Sequence, residues 1–185
     1  RNLARARVSL ISGGVILEDE DLAQAFEEVV ALIGPLEHDE ETVEMEFFQA
    51  TRAFSIDDLK YRHTLCLSRK SLVGLPECLG LLAALQTLSL CSNRLVELPE
   101  GIGGLHALQV LELSENMLTV LPNTLALLPS LQMLNLGVNL LVELPREIGH
   151  LSCLQILRLE GNKLKFLPKS FGCLSSLQAL HLDDN

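Results

Sequence analysis

Tryptophan is absent from this chain, and aromatic residues of all kinds make up only 4% of it. Basic residues are also few, because 14 Lys and Arg stand against 24 Asp and Glu and give a net charge of −10. Proteins that bind nucleic acid or an anionic membrane surface need a basic patch. The composition therefore predicts no nucleic-acid binding and no attraction to a membrane surface.

Long apolar runs are missing as well. A membrane-spanning helix needs about 18 or more apolar residues in succession, whereas the run from Val29 to Ile33 ends at Gly34-Pro35. We expect no membrane insertion. Residues 1–17 contain Arg and no acid before Glu18. We interpret them as a poorly defined N-terminal arm, with a transit peptide as the alternative.

Cysteines are odd in number, and none of them forms a CxxC pair or a metal-ligand spacing. The five are Cys66, Cys78, Cys91, Cys153 and Cys173. We expect free, buried thiols. The sequence also contains no Asn-x-Ser/Thr glycosylation site, which agrees with a reducing compartment.

Motifs for catalysis and for nucleotide binding are missing too, since neither GxxxxGK[ST] nor GxGxxG occurs. His63 and Cys66 lie three residues apart, but strand alternation directs them to different surroundings, and no third group orients the imidazole. His181, Asp183 and Asp184 nominally offer metal ligands, yet the matching positions elsewhere carry Ser or Cys. We expect no enzymatic activity, no cofactor and no metal.

A repeat with a period of 23 residues dominates what is present. Four complete copies begin at Leu85, Leu108, Leu131 and Leu154, a divergent copy begins at Arg62, and a partial copy runs from Leu177 to Asn185. One coil cannot bury its own leucines, so stability must come from stacked neighbours. The open last copy predicts that the solenoid is truncated at its C-terminal end.

Each part of the repeat has a structural role. The LxxLxL stretch predicts a short strand that stacks in parallel with its neighbours and turns its leucines inward. A buried amide can satisfy backbone groups where the chain then turns, which gives structural roles to Asn93, Asn116, Asn139 and Asn162, with Asn185 at the same phase. A Leu-Pro pair follows in each copy and favours extended backbone. Apolar residues spaced three apart then predict a short helix or 3₁₀ turn on the convex side.

The pattern LPxxIxxLxxLxxLxLxxNxL resembles the leucine-rich-repeat superfamily, in its 23-residue intracellular Ras-group form, over residues 62–185. This resemblance implies an α/β, right-handed solenoid with a parallel sheet on its concave face. It also implies a cytoplasmic protein-binding scaffold in signalling. The partner it implies is a small GTPase or a kinase or phosphatase component. Extracellular relatives usually begin with a cysteine-rich cap, and no Cys precedes Arg62.

Residues 18–61 form an acidic segment, because residues 1–61 hold 14 of the 24 acidic residues and 5 of the 14 basic ones. Apolar residues at helical spacing predict amphipathic helices over residues 18–33 and about 39–53. We expect this helical segment to cap the open end of the solenoid. An acidic docking surface is the alternative.

The residues between the inward leucines should face the concave side and meet a partner. In the middle copies we expect an exposed apolar cluster of Val110, Met117, Met133, Val138 and Leu140. Polar and charged neighbours on the same surface are Glu112, Glu115, Asn135, Arg158 and Lys163. An apolar centre with a charged rim is typical of protein interfaces. In the alternative interpretation, residues at the start of each strand pack against their lateral neighbours.

Three functions fit this sequence. The first is a binding scaffold that presents its concave sheet to a protein. The second is a regulatory arm of a larger signalling enzyme, of the GTPase–kinase type, whose catalytic domain lies outside this chain. The third is a structural assembly component, which stable self-association of the solenoid would indicate.

Overall fold

The computed structural model describes residues 62–185, which comprise the repeats alone. The predicted N-terminal arm, the acidic helices and their role as a cap fall on residues 1–61 and lie outside the described residues.

Six short strands form one parallel sheet, in which each strand pairs with the next along the chain. They are β1 (Thr64–Cys66), β2 (Thr87–Ser89), β3 (Val110–Glu112), β4 (Met133–Asn135), β5 (Ile156–Arg158) and β6 (Ala179–His181). Every pairing joins residues that lie one repeat apart, as in Leu88 opposite Leu111. The predicted strand register is therefore confirmed.

The other side of each coil carries a 3₁₀ helix. The five are η1 (Glu77–Leu81), η2 (Glu100–Gly104), η3 (Asn123–Leu127), η4 (Ile148–His150) and η5 (Lys169–Cys173). Proline precedes four of them as an extended N-cap residue, with φ between −75° and −65° and ψ near 150°. Consecutive 3₁₀ helices contact one another, so this side of the solenoid is also continuous.

Leucine fills the space between the sheet and the 3₁₀ helices. The middle strand residues Leu65, Leu88, Leu111, Leu134 and Leu157 are buried, and each is at most 1% exposed. Leu180, which occupies this position in the last coil, is 37% exposed. The inward leucine of a coil is thus covered by the coil that follows it, as expected of stacked repeats.

A ladder of asparagine amides runs through the turns that follow the strands. The Asn116 amide donates to Leu90 O and to Leu113 O, both at 3.0 Å, and its Oδ1 accepts from Leu95 N at 3.1 Å. Leu113 O also accepts from Asn139, so one carbonyl joins two successive amides. The same pattern recurs at Asn93, Asn139, Asn162 and Asn185. Each Asn amide thus bridges its own coil to the preceding one through backbone groups.

The expectation of buried thiols is wrong for the described residues. Cys66, Cys153 and Cys173 are exposed, and Cys78 and Cys91 are half-buried; all five lie in the described residues, and none forms a disulfide bond. The reason is their position in the repeat. Cys66 and Cys91 alternate with the inward leucines of the concave face, while the other three lie in or beside the outer turns.

Candidate functional site

The concave face consists of the residues that alternate with the buried leucines. The first positions of the six strands align from Thr64 to Ala179, and the third positions align from Cys66 to His181. These are the columns that the repeat predicts.

The helices of residues 62–185 are all 3₁₀ helices of at most five residues. None of them could span a membrane.

The five apolar residues predicted for this face fall into two groups. Val110 and Met133 are paired neighbours at the start of β3 and β4, and both are half-buried. Met117, Val138 and Leu140 lie in the turns that follow these strands. The third strand residues and those just beyond them lie between the two groups along the chain, and they form a polar strip of Cys91, Glu112, Asn135, Arg158 and Glu160.

The turn group is the more exposed of the two. Val138 is 56% exposed and Met117 is 47% exposed, while Leu140 is half-buried. Met117 and Leu140 occupy matching positions in successive repeats, where the flanking coils carry the exposed cations Arg94 and Lys163. We name Met117, Val138 and Leu140 the turn patch. It is apolar in two adjacent coils and charged on both sides.

Val138 has a backbone conformation that valine rarely adopts. Its φ is 55°, in the left-handed region, which is uncommon for any residue with a Cβ and an outlier for a β-branched one. The residues at the same position in other coils are Arg69, Ser92, Glu115, Gly161 and Asp184, all with positive φ. The turn imposes this conformation, because Val138 N donates to Glu160 O at 2.7 Å and Val138 O accepts from Asn116 N at 3.2 Å.

The polar strip is tied together across coils. The Asn135 amide donates to Glu112 Oε2 at 2.7 Å, and its Oδ1 accepts from Gly137 N at 3.1 Å. Cys91 Sγ donates to the same carboxylate oxygen at 3.9 Å. Asn135 is only 8% exposed. This predicted contact residue therefore lies within the surface, where it positions Glu112.

Arg158 and Glu160 continue the strip in the next coil. Arg158 Nε and Glu160 Oε2 are buried, and neither has a hydrogen-bond partner. Gly137 lies beside Glu160, since a Cβ on this glycine would be 2.8 Å from Glu160 Oε1. Glu160 lies two positions beyond the strand that contains Arg158, on the alternating concave side, but it was not chosen as a contact residue. Buried polar groups without partners are rare, so this point of the strip is incompletely satisfied.

The charged rim predicted around the site is present in part. Glu115 and Lys163 are exposed, and Ser92 Oγ donates to Glu115 Oε2 at 2.8 Å, which holds that carboxylate toward the preceding coil. Glu112 and Arg158 are half-buried. The face thus presents charges of both signs around the turn patch.

The groups considered for catalysis make other contacts. His63 Nδ1 lies 3.1 Å from Ala84 O, and Cys66 Sγ contacts Ser68 Oγ at 4.0 Å. Among the described residues, no three His, Cys, Asp or Glu side chains are placed to hold a metal ion.

Family models match two stretches of the repeats. Residues 83–141 match the model described as Leucine rich repeat, and residues 153–174 match a second leucine-rich-repeat model. The parallel sheet and the 3₁₀ helices of residues 62–185 fit a leucine-rich-repeat solenoid. No curated protein sequence matches the chain.

Solved structures similar to this leucine-rich-repeat solenoid include plant receptor domains. One is the ectodomain of the membrane receptor kinase GASSHO1/SCHENGEN3 from Arabidopsis thaliana in complex with CASPARIAN STRIP INTEGRITY FACTOR 2, with 36% identity and a TM-score of 0.59 over 65% of this chain and 15% of that one. A second is the plant peptide hormone receptor RGFR1 in complex with RGF2, with 35% identity and a TM-score of 0.55 over 59% of this chain and 18% of that one.

The ectodomain of the receptor kinase SOBIR1 from Arabidopsis thaliana is also similar. It has 26% identity and a TM-score of 0.57 over 65% of this chain and 68% of that one. The chain therefore spans less than a fifth of the length of the first two receptors and about two thirds of the third.

Proposed function

We propose that this leucine-rich-repeat solenoid is a protein-binding scaffold of intracellular signalling, and that a protein partner docks on its concave face at the turn patch. The observation that carries the proposal is the exposure of Val138 and Met117, at 56% and 47%, between flanking coils with charged residues. Apolar anchors inside a polar rim supply most of the energy in protein interfaces.

The conformation of Val138 supports the same site. Left-handed backbone costs an L-residue about 1 to 2 kcal/mol, and Gly161 occupies this position in the next coil with φ 66°. Backbone strain of this kind clusters at functional sites. A bulky apolar side chain is thus displayed where a glycine would be more stable, and we attribute its presence to binding.

The polar strip complements the turn patch. Half-buried Arg158 and Glu160 place charges of both signs in the strip beside the turn patch. Glu112, held by Asn135, would supply a fixed negative charge beside them. The partner we propose is therefore a protein with an apolar anchor flanked by charges of both signs, such as a small GTPase or a kinase or phosphatase component.

The cytoplasmic location belongs to this proposal. Three exposed free thiols, Cys66, Cys153 and Cys173, suit a reducing compartment, where they would remain unoxidised. The resemblance of the 23-residue repeat to the intracellular Ras-group type also favours a cytoplasmic location. Two of the similar receptor domains are ectodomains, so fractionation of cells that express the tagged chain separates the two locations.

A regulatory arm of a larger enzyme is the second candidate. It is favoured by the kinase receptors among the similar structures, in which the leucine-rich repeats are one part of the protein. In either case we assign binding, and no catalysis, to residues 62–185.

Affinity capture from cytosol, read by mass spectrometry, tests the proposed surface. We expect the Met117→Glu/Leu140→Glu variant to lose partners that the wild-type chain retains, because two charges enter the apolar patch. Leu127→Glu is the matched control, since Leu127 is 62% exposed on the convex side. Val138→Gly should also lose those partners while it folds more stably. Equal capture by all four proteins would refute the site.

A further inference from the structure

The edge of the solenoid between each turn and its 3₁₀ helix presents a second ordered surface. It consists of five-residue segments with a central Leu-Pro, which we name the edge strip: residues 73–77, 96–100, 119–123, 142–146 and 165–169. In four of the five segments the leucine is buried, and in all five the last residue is exposed. Each segment therefore anchors its middle in the core and displays its ends.

Charge along the edge strip follows an order. The last residue of the segments, taken along the chain, is Glu77, Glu100, Asn123, Arg146 and Lys169, and all five are exposed. Two acids lie at one end, a neutral residue lies at the centre, and two bases lie at the other end.

Contacts between coils show that these positions are neighbours in space. The Glu77 carboxylate accepts from Glu100 N at 3.1 Å and from Gly101 N at 2.5 Å. Thr124 Oγ1 donates to Glu100 O at 2.8 Å, and Ser170 Oγ donates to Arg146 O. The charges thus form one continuous column across five coils.

Apolar side chains accompany this column. Val73, Val96, Val120, Val142 and Phe166 lie at the first or second position of the five segments and are between 41% and 63% exposed. One stands in every coil of the strip. The edge strip is therefore an apolar band beside a column of charges that reverses sign along its length.

We propose that the edge strip binds a second copy of this chain in an antiparallel, two-fold arrangement. A two-fold axis that lies in the contact plane, perpendicular to the column, and crosses the third coil places each column opposite itself in reverse order. Glu77 then faces Lys169 of the other copy, Glu100 faces Arg146, and Asn123 faces Asn123. Each charge pair occurs twice in the dimer, so the charge order is self-complementary.

The apolar residues match one another at the centre of the dimer, where Val96 faces Val142 and Val120 faces its own copy. At the two ends Val73 faces Lys165 and Phe166 faces Gly74, so the apolar pairs are confined to the three central coils. A parallel arrangement would instead place Glu100 opposite Glu100 and Arg146 opposite Arg146, so charge selects the antiparallel one. Glu97 and Glu143 face each other and oppose association. The concave faces of both copies stay open to other partners.

The contact is small, because five coils at about 4.8 Å spacing give a strip roughly 20 Å long. Interfaces of this size belong to weak, transient complexes. Exposed ion pairs are also screened by salt. We therefore expect association in the micromolar range, weaker at high salt.

Sedimentation equilibrium of the 185-residue chain tests the proposal. We expect a reversible dimer with a dissociation constant below about 100 μM. Arg146→Glu and Glu100→Arg should each raise this constant by about tenfold or more, because each charge reversal creates two like-charge pairs in the dimer. The double variant should regain the wild-type affinity. Circular dichroism verifies that every variant is folded, and Arg94→Glu, a charge reversal on the concave turn, should leave the dimer unchanged.

Mixing the two single variants is the decisive arm. In that heterodimer Glu100 of one chain faces Arg146 of the other, and the introduced Glu and Arg face each other, so the mixture should dimerise more tightly than either variant alone. A monomer at every concentration would overturn the proposal. So would a dimer that tolerates the single reversals, because its contact would lie on another face.

Discussion

Replacement of Asn139 by leucine isolates what one amide of the ladder contributes. Its side chain is 4% exposed; it donates to Leu113 O and Leu136 O at 3.0 Å and accepts from Leu118 N at 3.0 Å. Asn139→Leu keeps a side chain of comparable length and removes these three bonds, together with a longer one to Gly137 O at 3.3 Å.

The loss of each of the three shorter bonds lowers the free energy of unfolding by a different amount. Leu118 N is left buried without its acceptor, at about 1 to 3 kcal/mol. Leu113 O and Leu136 O each keep the amide of a neighbouring Asn, so they lose one bond of two, at about 0.5 to 1 kcal/mol each. We expect Asn139→Leu to lower the free energy of unfolding by about 2 to 5 kcal/mol.

Asn185→Leu is the matched control. Asn185 makes the same three bonds, to Leu159 O, Leu182 O and Leu164 N, but it is exposed, so water can replace them and the loss should stay below about 1 kcal/mol. Urea unfolding followed by circular dichroism measures both values. Equal losses in the two variants, or no loss at Asn139, would refute the argument that burial sets the value of each amide.

Two further substitutions test the backbone. Val138→Gly should raise the free energy of unfolding by about 1 kcal/mol, because φ is 55° at this position. Val138→Thr keeps the β-branch and should not raise it. A loss of stability in the glycine variant would count against strain at this turn. Gly149→Ala should lower it by about 2 to 3 kcal/mol, since the new Cβ would lie 2.0 Å from Ser170 O. Gly172→Ala, with nothing within 4 Å of its Cβ, should be neutral in the same urea assay, and equal effects at the two glycines would contradict the packing argument.

Period and residue type together predicted most of the fold. Leucine at fixed phase defined the strands, and the asparagine of each turn has the bonding role that an amide with two donors and one acceptor permits. These predictions succeed because each coil repeats the same local solution, so one position of the pattern is tested several times. The short convex elements were predicted as a helix or a 3₁₀ turn, and the structure has the latter.

The candidate site was harder to predict from the sequence than the fold was. Alternation shows which residues leave the core but not how far apart along the curved face they lie, so Met133 and Val138 were grouped although a polar strip separates them. Asn135 was chosen by its column, whereas its burial depends on the carboxylate of Glu112 in the neighbouring coil. The left-handed turn position was missed, although Gly161 and Asp184, residue types that tolerate positive φ, mark it in two copies.

The asparagine ladder also sets the order in which the coils can fold during translation. Asn116 closes the turn of the coil before it, through Leu90 O and Leu95 N, so a coil leaving the ribosome stays incomplete until the next asparagine, 23 residues later, has emerged. At about 5 to 20 residues per second, folding trails translation by about 1 to 5 seconds per coil. During that interval the newest coil exposes its leucines, so the nascent chain carries an exposed apolar surface at its most recently synthesised coil.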